Sequence, residues 1–553
     1  MYKKLITAFL PLVLLAGSVQ AGEKEELIKL RNTTAKLLQL LVQEGVISAE
    51  RAKDMVAEAQ EEAEKQAREE KAKQMAEPEP GEVRIQYVPQ FVKDQIRQQV
   101  RAELREDVSN DVMGKAKQER WGVPGVTPEW INRIKLNGDV RLRAQSDVFA
   151  DGNPDNIYID YSKANEDNIA STLHNTTIDR HRLRARLRLG LKAKITNDFT
   201  ANIRLATGSG DDPVSTNKTM GSYGNKYSIL IDRAYLKFTD LDVNDYPWIT
   251  LYGGRMKNPF LSSDLVWDSD LAFDGIAATY RYNLSGSDNL FDMDDRRKTL
   301  YMTAGFFPLD EVELSSDDDK WLFGLQLGGK YISENNRSIF ELGLSYYDYE
   351  NITGTRNELN SNIYDYTAPD FMQQGNTLFL IKDSADPDEL YGLASDYNLL
   401  NVTGRLTFTH FAPTNVIVTA DWVRNIGYDK QEIIDRTGGS VIVNGGGTAT
   451  VDDITEEVDG YQLKLVVGWP QITQRYSWRV FGAYKHLERD AVLDAFTDSD
   501  FHLGGTNAKG FLIGGEYGVL DNVSIAARML STDEIQGAPF GVDVFQLDLN
   551  AKF

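Results

Sequence analysis

The densest chemistry in the sequence is a row of cations. From Arg180 to Ile195 the even positions carry Arg180, Arg182, Arg184, Arg186, Arg188, Lys192 and Lys194, while every odd position from Leu183 to Ile195 is apolar. Residues two apart share one face of a strand, so this segment has a cationic face and a greasy face. Such a row can attract and order anions in water. It supplies no nucleophile and no general base. Catalytic material is scarce elsewhere too. The chain has no cysteine, which removes disulfides, thiolate zinc sites, iron–sulfur clusters and cysteine nucleophiles. The five histidines, His174, His181, His410, His486 and His502, stand in no recognisable nucleophile–base constellation. We expect no enzyme, no cofactor and no metal site.

The chain that must position this row has 553 residues, with 83 Asp and Glu against 60 Lys and Arg, a net charge of −23. A surface of that sign repels a phosphate backbone, so nucleic acid is not an expected partner. Aromatic content of 10 % and 44 glycines set it apart from disordered acidic proteins. No run of eighteen apolar residues occurs, so membrane-spanning helices are not expected. The longest apolar run is at the start. Lys3 and Lys4 precede Leu5 to Ala16, and Val19-Gln20-Ala21 ends the segment with small residues, the pattern of a secretory signal peptide over 1–21 cleaved after Ala21.

Residues 22–76 are rich in Glu, Lys, Ala, Gln and Leu, and are expected to be helical. Leu27, Leu30, Thr34, Leu37 and Leu41 alternate in spacings of three and four, a stripe that suits either a helical hairpin or a self-associating coiled coil. Gly45 interrupts the stripe. A Pro-containing linker at 77–90 and a charged helix at 91–120 follow.

From 131 to 553 the texture is different. Short alternating runs rich in Gly, Tyr, Phe and Thr are separated by Asn/Asp/Gly clusters, and sixteen such runs are legible between 132–146 and 542–553. Tight links such as Thr196-Asn197-Asp198, Glu334-Asn335-Asn336 and Ala412-Pro413-Thr414 alternate with links of tens of residues, the asymmetry of an outer-membrane barrel. The acidic stretch Leu284 to Arg297 is the one long turn on the short side. The expected fold is therefore an all-β antiparallel transmembrane barrel of about 16 strands, preceded by a periplasmic helical segment. If the apolar faces meet lipid, Arg141, Arg143, Arg182, Arg184, Arg186, Arg188, Arg204, Arg233 and Arg255 line the pore, because cations facing lipid are costly. Aromatics near strand ends, among them Tyr346, Tyr347, Tyr349, Trp422 and Trp478, are expected as interfacial girdles. The final run closes on Phe545, Leu547, Leu549, Ala551 and Phe553. A terminal Phe on an alternating strand resembles the signal read by the barrel-assembly machinery of bacterial outer membranes.

Leu251-Tyr252-Gly253-Gly254-Arg255-Met256-Lys257-Asn258-Pro259-Phe260, followed by Asp264-Leu265-Val266-Trp267-Asp268-Ser269-Asp270, resembles the putative porin family, with related text in phosphate-selective porins. The resemblance covers most of residues 23–553. It implies a passive channel for small hydrophilic solutes without implying one substrate, and a trimer embedded in lipid and lipopolysaccharide. In general porins the loop after the fifth strand folds into the barrel, which would set Asp264, Asp268 and Asp270 against the arginines as an acidic constriction. Loop acids such as Asp383, Asp386, Asp388 and Glu389 read as soluble surface, without the spacing of a calcium loop. Two alternatives stay open: a substrate-specific anion or phosphate channel, and a structural tether whose helices contact peptidoglycan while the barrel carries no open pore.

Overall fold

The computed structural model describes residues 133–553, apart from 156–157, 168–172, 243–245, 285–296, 314–316, 334–336, 383–388 and 444–446. The expected signal peptide, helices and linker before 131, most of the long turn 284–297, the turn at 334–336, and Asp383, Asp386 and Asp388 lie outside the described residues.

Sixteen long strands follow one another as β1 (Ile134–Phe149), β2 (Arg180–Lys194), β3 (Phe199–Ala206), β4 (Leu230–Leu241), β5 (Pro247–Lys257), β6 (Ala272–Asn283), β7 (Lys298–Asp310) and β8 (Lys320–Ile332). They continue as β9 (Ser338–Glu350), β10 (Asn398–Phe411), β11 (Thr414–Asn425), β12 (Asp459–Gly468), β13 (Trp478–Leu487), β14 (Ala508–Leu520), β15 (Val523–Glu534) and β16 (Gly541–Lys552). Each pairs antiparallel with its neighbours in sequence, and β16 pairs with β1, so the sheet has no edge. At that seam the N–H of Gly138 donates to the carbonyl of Phe553 (2.9 Å), and the N–H of Phe553 donates back to Gly138 (3.0 Å).

Alternation dictates the two faces. On β2, Leu183 is 59 % exposed, and on β16 Leu547 is 54 % exposed, values that no water-facing leucine belt could hold without lipid. The opposite parity of the same strands turns inward. Alternate connections are long, and two of them, 351–397 and 426–458, share a small antiparallel sheet of Tyr391–Leu393, Leu378–Leu380, Ser440–Val443 and Gly447–Thr450. Beside it, the helix α1 (Lys430–Thr437) starts on Asp429, whose carboxylate accepts the N–H groups of Gln431 and Glu432.

Two expectations change here. Tyr347 and Tyr349 are 0 % and 3 % exposed and belong to a large cluster inside the wall, so only Tyr346 of that aromatic run faces out. The reason is parity: adjacent aromatics must point to opposite faces, and the inner face here has a packing partner.

Candidate functional site

Register places the arginines side by side. Arg141 lies opposite Arg186 and Arg143 opposite Arg184 between β1 and β2, while on the other side of β1 Arg143 lies opposite Asp548 of β16. Like charges directly opposite are unfavourable, so this wall requires carboxylates. Asp139 accepts from Arg186 at 2.7 Å and from Arg188 at 2.8 Å. Asp147 takes Arg182 at 2.8 Å, and Asp548 takes Arg143 through Nε (2.7 Å) and Nη2 (3.0 Å). Among the described residues, Arg184 has only long contacts, with Gln145 and Ser215 at 3.4 Å. Arg141 donates to Asn217 and lies 3.9 Å from Asp548. Among the described residues, the Nε donors of Arg141, Arg182 and Arg184 have no protein partner.

Arg204 and Arg233 share the bulged Asp232 of β4. Arg255 does not join the row. It is one residue out of phase with Met256, which is fully buried in the interior, and its neighbour across the register is Asp274. It pairs with that carboxylate and donates Nε to the carbonyl of Asp232 at 3.1 Å, at the loop end of β5.

The segment 258–271 crosses the interior. It leaves β5 and meets β8, where the Gln326 amide donates to the carbonyl of Leu261 and accepts its N–H, both at 2.8 Å. On β11, Asp421 accepts from the Ser263 hydroxyl at 2.5 Å. Asp264 then accepts from Gln462 (2.6 Å) and Lys464 (3.0 Å) of β12, and its carbonyl from Lys485 (2.7 Å) of β13. Asp270 reaches Arg188 of β2 at 3.1 Å. What holds the segment is apolar: Phe260, Leu265, Val266, Trp267 and Leu271 pack with Met256, Phe273, Phe307, Leu322 and Tyr347 on the inner faces of β5 to β9. Trp267 meets Tyr347 edge-on with centroids 5.1 Å apart. Gly324 leaves the space for this packing, since a Cβ there would stand 2.5 Å from the Phe260 ring.

The three acids expected to oppose the arginines thus part company. Asp270 does so through Arg188. Burial alone would raise the carboxyl of Asp264, but Lys464 and Lys485 hold it below the usual range. Asp268 sits in a loop–loop contact, donating its N–H to Phe496 (2.8 Å) and accepting from Ser499 (3.0 Å). Burial, and then the nearby Asp498 carboxylate, push it up to about 8.

A second inserted segment escaped the sequence reading. The tip of 488–507 carries Asp500 to the arginines, where it accepts from Arg143 (3.1 Å), Arg528 (3.0 Å) and Gln546 (2.9 Å). No local pattern marks it, although the odd parity of Asp139 and Asp147 beside Arg141 and Arg143 was a readable signal for those two acids. A cavity of about 480 Å³ remains between the wall and the inserted segments, lined among others by Arg141, Arg186, Arg188, Lys464, Arg479 and Arg528 with Asp264, Asp270 and Asp500. The histidines stay scattered: His174 lies 3.9 Å from Asp160, His486 3.6 Å from Glu488, and His502 3.0 Å from Thr532.

A closed antiparallel barrel with an apolar outer belt, a charged interior and a segment threaded across it is a porin-class outer-membrane barrel. The profile of the family described as Putative porin matches residues 31–553, and the chain belongs to that family. It is a porin channel of the bacterial outer membrane. Among solved structures, the chain is similar to the outer-membrane channel DcaP of Acinetobacter baumannii, at 14 % identity and TM-score 0.37 over 76 % of this chain and 97 % of that one. Against OprB of Pseudomonas putida the values are 12 % and 0.42, over 78 % and 97 %. Against OmpT of Vibrio cholerae in its trimer form they are 8 % and 0.37, over 76 % and 99 %. No curated protein matches.

Proposed function

We propose that the barrel is a passive channel for small hydrophilic solutes and ions, narrowest where the segment 258–271 approaches the arginines of β1 and β2, and that it favours anions. The observation that carries this reading is the course of that segment, which touches β8, β11, β12, β13 and β2 yet leaves the charged cavity beside it. Charges fixed on opposite sides of a narrow lumen order its water and sort solutes by size and sign. Five arginines of β1 and β2, Arg141, Arg143, Arg182, Arg186 and Arg188, lie within ion-pair distance of five carboxylates, Asp139, Asp147, Asp270, Asp500 and Asp548, and Arg184 adds a sixth cation to the row, so the excess on this wall is basic but small. The proposal includes a homotrimer in contact with lipid and lipopolysaccharide.

The test is a planar-bilayer recording of the purified protein in a potassium chloride gradient. Discrete conductance steps with a reversal potential on the anion side are expected. A sealed bilayer at saturating protein would overturn the reading in favour of a structural tether. A detergent-corrected mass of one chain would remove the trimer and leave the pore.

A further inference from the structure

Asp500 occupies a site shaped for a carboxylate that it need not own. Its Oδ1 accepts from Arg143 Nη1 (3.1 Å) and Gln546 Nε2 (2.9 Å), and its Oδ2 from Arg143 Nη1 (3.1 Å) and Arg528 Nη2 (3.0 Å). The donors come from β1, β15 and β16, three adjacent strands of rigid wall, whereas the acceptor arrives on a loop. Asp548 grips the other edge of Arg143 through Nε and Nη2, which leaves Nη1 aimed at the site whether or not Asp500 fills it. Arg143 is 1 % exposed, so this guanidinium is fixed, not a mobile surface group.

The loop tip is delivered by its stem. Asn376 donates to the carbonyls of Arg489 (2.7 Å) and Val492 (2.9 Å), and Asp490 accepts from the Thr377 N–H (2.9 Å) and hydroxyl (2.6 Å). These bonds hold residues 489–492 and none of them is made by Asp500, so withdrawing Asp500 from the cradle breaks none of them. Burial by itself would raise the Asp500 carboxyl, but four guanidiniums, Arg143 foremost, hold it well below the usual range, so the occupant is an anion at every physiological pH.

We infer that the Arg143–Arg528–Gln546 cradle is a binding site for the carboxylate of a small permeating solute, and that Asp500 fills it as a tethered competitor. The inference rests on the pore reading above and names the solute class. An entering carboxylate exchanges one set of charge-assisted hydrogen bonds for an equivalent set, so the solute is passed on and not trapped.

The test uses the full chain in planar bilayers, with acetate as probe and phosphate as comparator. Asp500→Ala empties the cradle; Asp500→Asn removes the charge but leaves a group of the same size in place. In Asp500→Ala, acetate current should saturate at roughly tenfold lower concentration than in the native chain, the worth of one charge-assisted hydrogen bond. Both variants should move the reversal potential toward anions, and adding Arg143→Gln to Asp500→Ala should abolish the acetate saturation. Heat-modifiable migration on gels verifies the folded barrel. If Asp500→Ala does not fold, the isosteric Asp500→Asn carries the test through its reversal potential, and an unchanged value there overturns the inference. A conducting Asp500→Ala channel with native acetate saturation overturns it while leaving the pore intact, and tighter saturation by phosphate overturns the carboxylate assignment. Silence of the native chain and of every variant overturns the pore reading, and this inference with it.

Discussion

Reversing the centre of the arginine row is the sharpest perturbation of the proposed pore. Arg182, Arg184 and Arg186 stand at alternate positions of β2, and replacing all three by Glu changes the wall by six charges. For an ion passing at about 8 Å through water, one fixed charge is worth about 0.5 kcal/mol, so a reversal changes its energy by about 1 kcal/mol. Mobile counter-ions roughly halve this over a Debye length of about 10 Å. Cations gain what anions lose, so each position contributes about 1 kcal/mol to the preference and three contribute about 3 kcal/mol, on the order of 100-fold in the permeability ratio. The readout is the reversal potential in a potassium chloride gradient, which should cross from the anion to the cation side. Arg182 releases Asp147, and Arg186 releases one oxygen of Asp139 while Arg188 still holds the other, so the new glutamates stand beside carboxylates that have lost compensation and folded yield should fall. The triple Gln variant avoids that repulsion and should show about half the shift. A heat-modifiable, conducting Glu variant with the native reversal potential would refute the placement of these residues on the ion path.

Three further outcomes follow from other parts of the structure. Phe260→Ala removes a ring packed against Phe273, Phe307 and Tyr347, and should weaken the anchoring of 258–271 by about 3–5 kcal/mol, read as noisier open-channel current; native noise and conductance would argue against an anchored constriction. Burial pushes the Asp494 carboxyl up to about 7, above its ordinary value, so its protonated form stabilises the loop 488–507; that contribution is complete in acid and is lost as pH rises through 7. Hydrogen exchange in this loop, corrected for intrinsic rates, should therefore quicken between pH 5 and pH 8 more in the native chain than in Asp494→Asn, where Asp268 against Phe496 and Ser499 still titrates; equal pH dependence would refute the assignment. Deleting Phe553 strips two backbone hydrogen bonds from Gly138 at the barrel seam, and the heat-modifiable fraction recovered from outer membranes should drop several-fold; full recovery would refute the expectation that Phe553 is an assembly signal.

The strands were legible because lipid enforces a strict period of two, and every run read from the sequence has a strand, displaced at its ends by at most a few residues. That the β2 arginines share one face follows from the same period. The partners of Arg255, Asp232 and Asp274, were not legible, because a bulge at Asp232 shifts the register and alternation does not describe a bulge. Asp500 was illegible for a deeper reason. Its partner Arg143 lies 357 positions away, and nothing in Asp498-Ser499-Asp500 distinguishes a buried ligand from a soluble turn.

The two inserted segments explain why one wall is apolar inside and the other charged. A polar lumen has no use for Phe273, Phe307, Leu322 and Tyr347, whose exposure to water would carry the ordinary cost of apolar surface. Covered by Phe260, Leu265 and Trp267, they become the adhesive that fixes 258–271 across the barrel. The segment then has only its polar edge left to present, and Asp264, Asp268 and Asp270 lie on it. Asp264 is bound by lysines, Asp268 is held by another loop, and only Asp270 reaches the arginine row. The remaining compensation for that row must come from elsewhere, and the wall strands and the 488–507 tip supply it through Asp139, Asp147, Asp548 and Asp500. Of these, Asp500 is on a loop tip and can leave without breaking a strand. The charge seen by a solute is therefore adjustable at Asp500, while the arginines themselves stay fixed in the sheet.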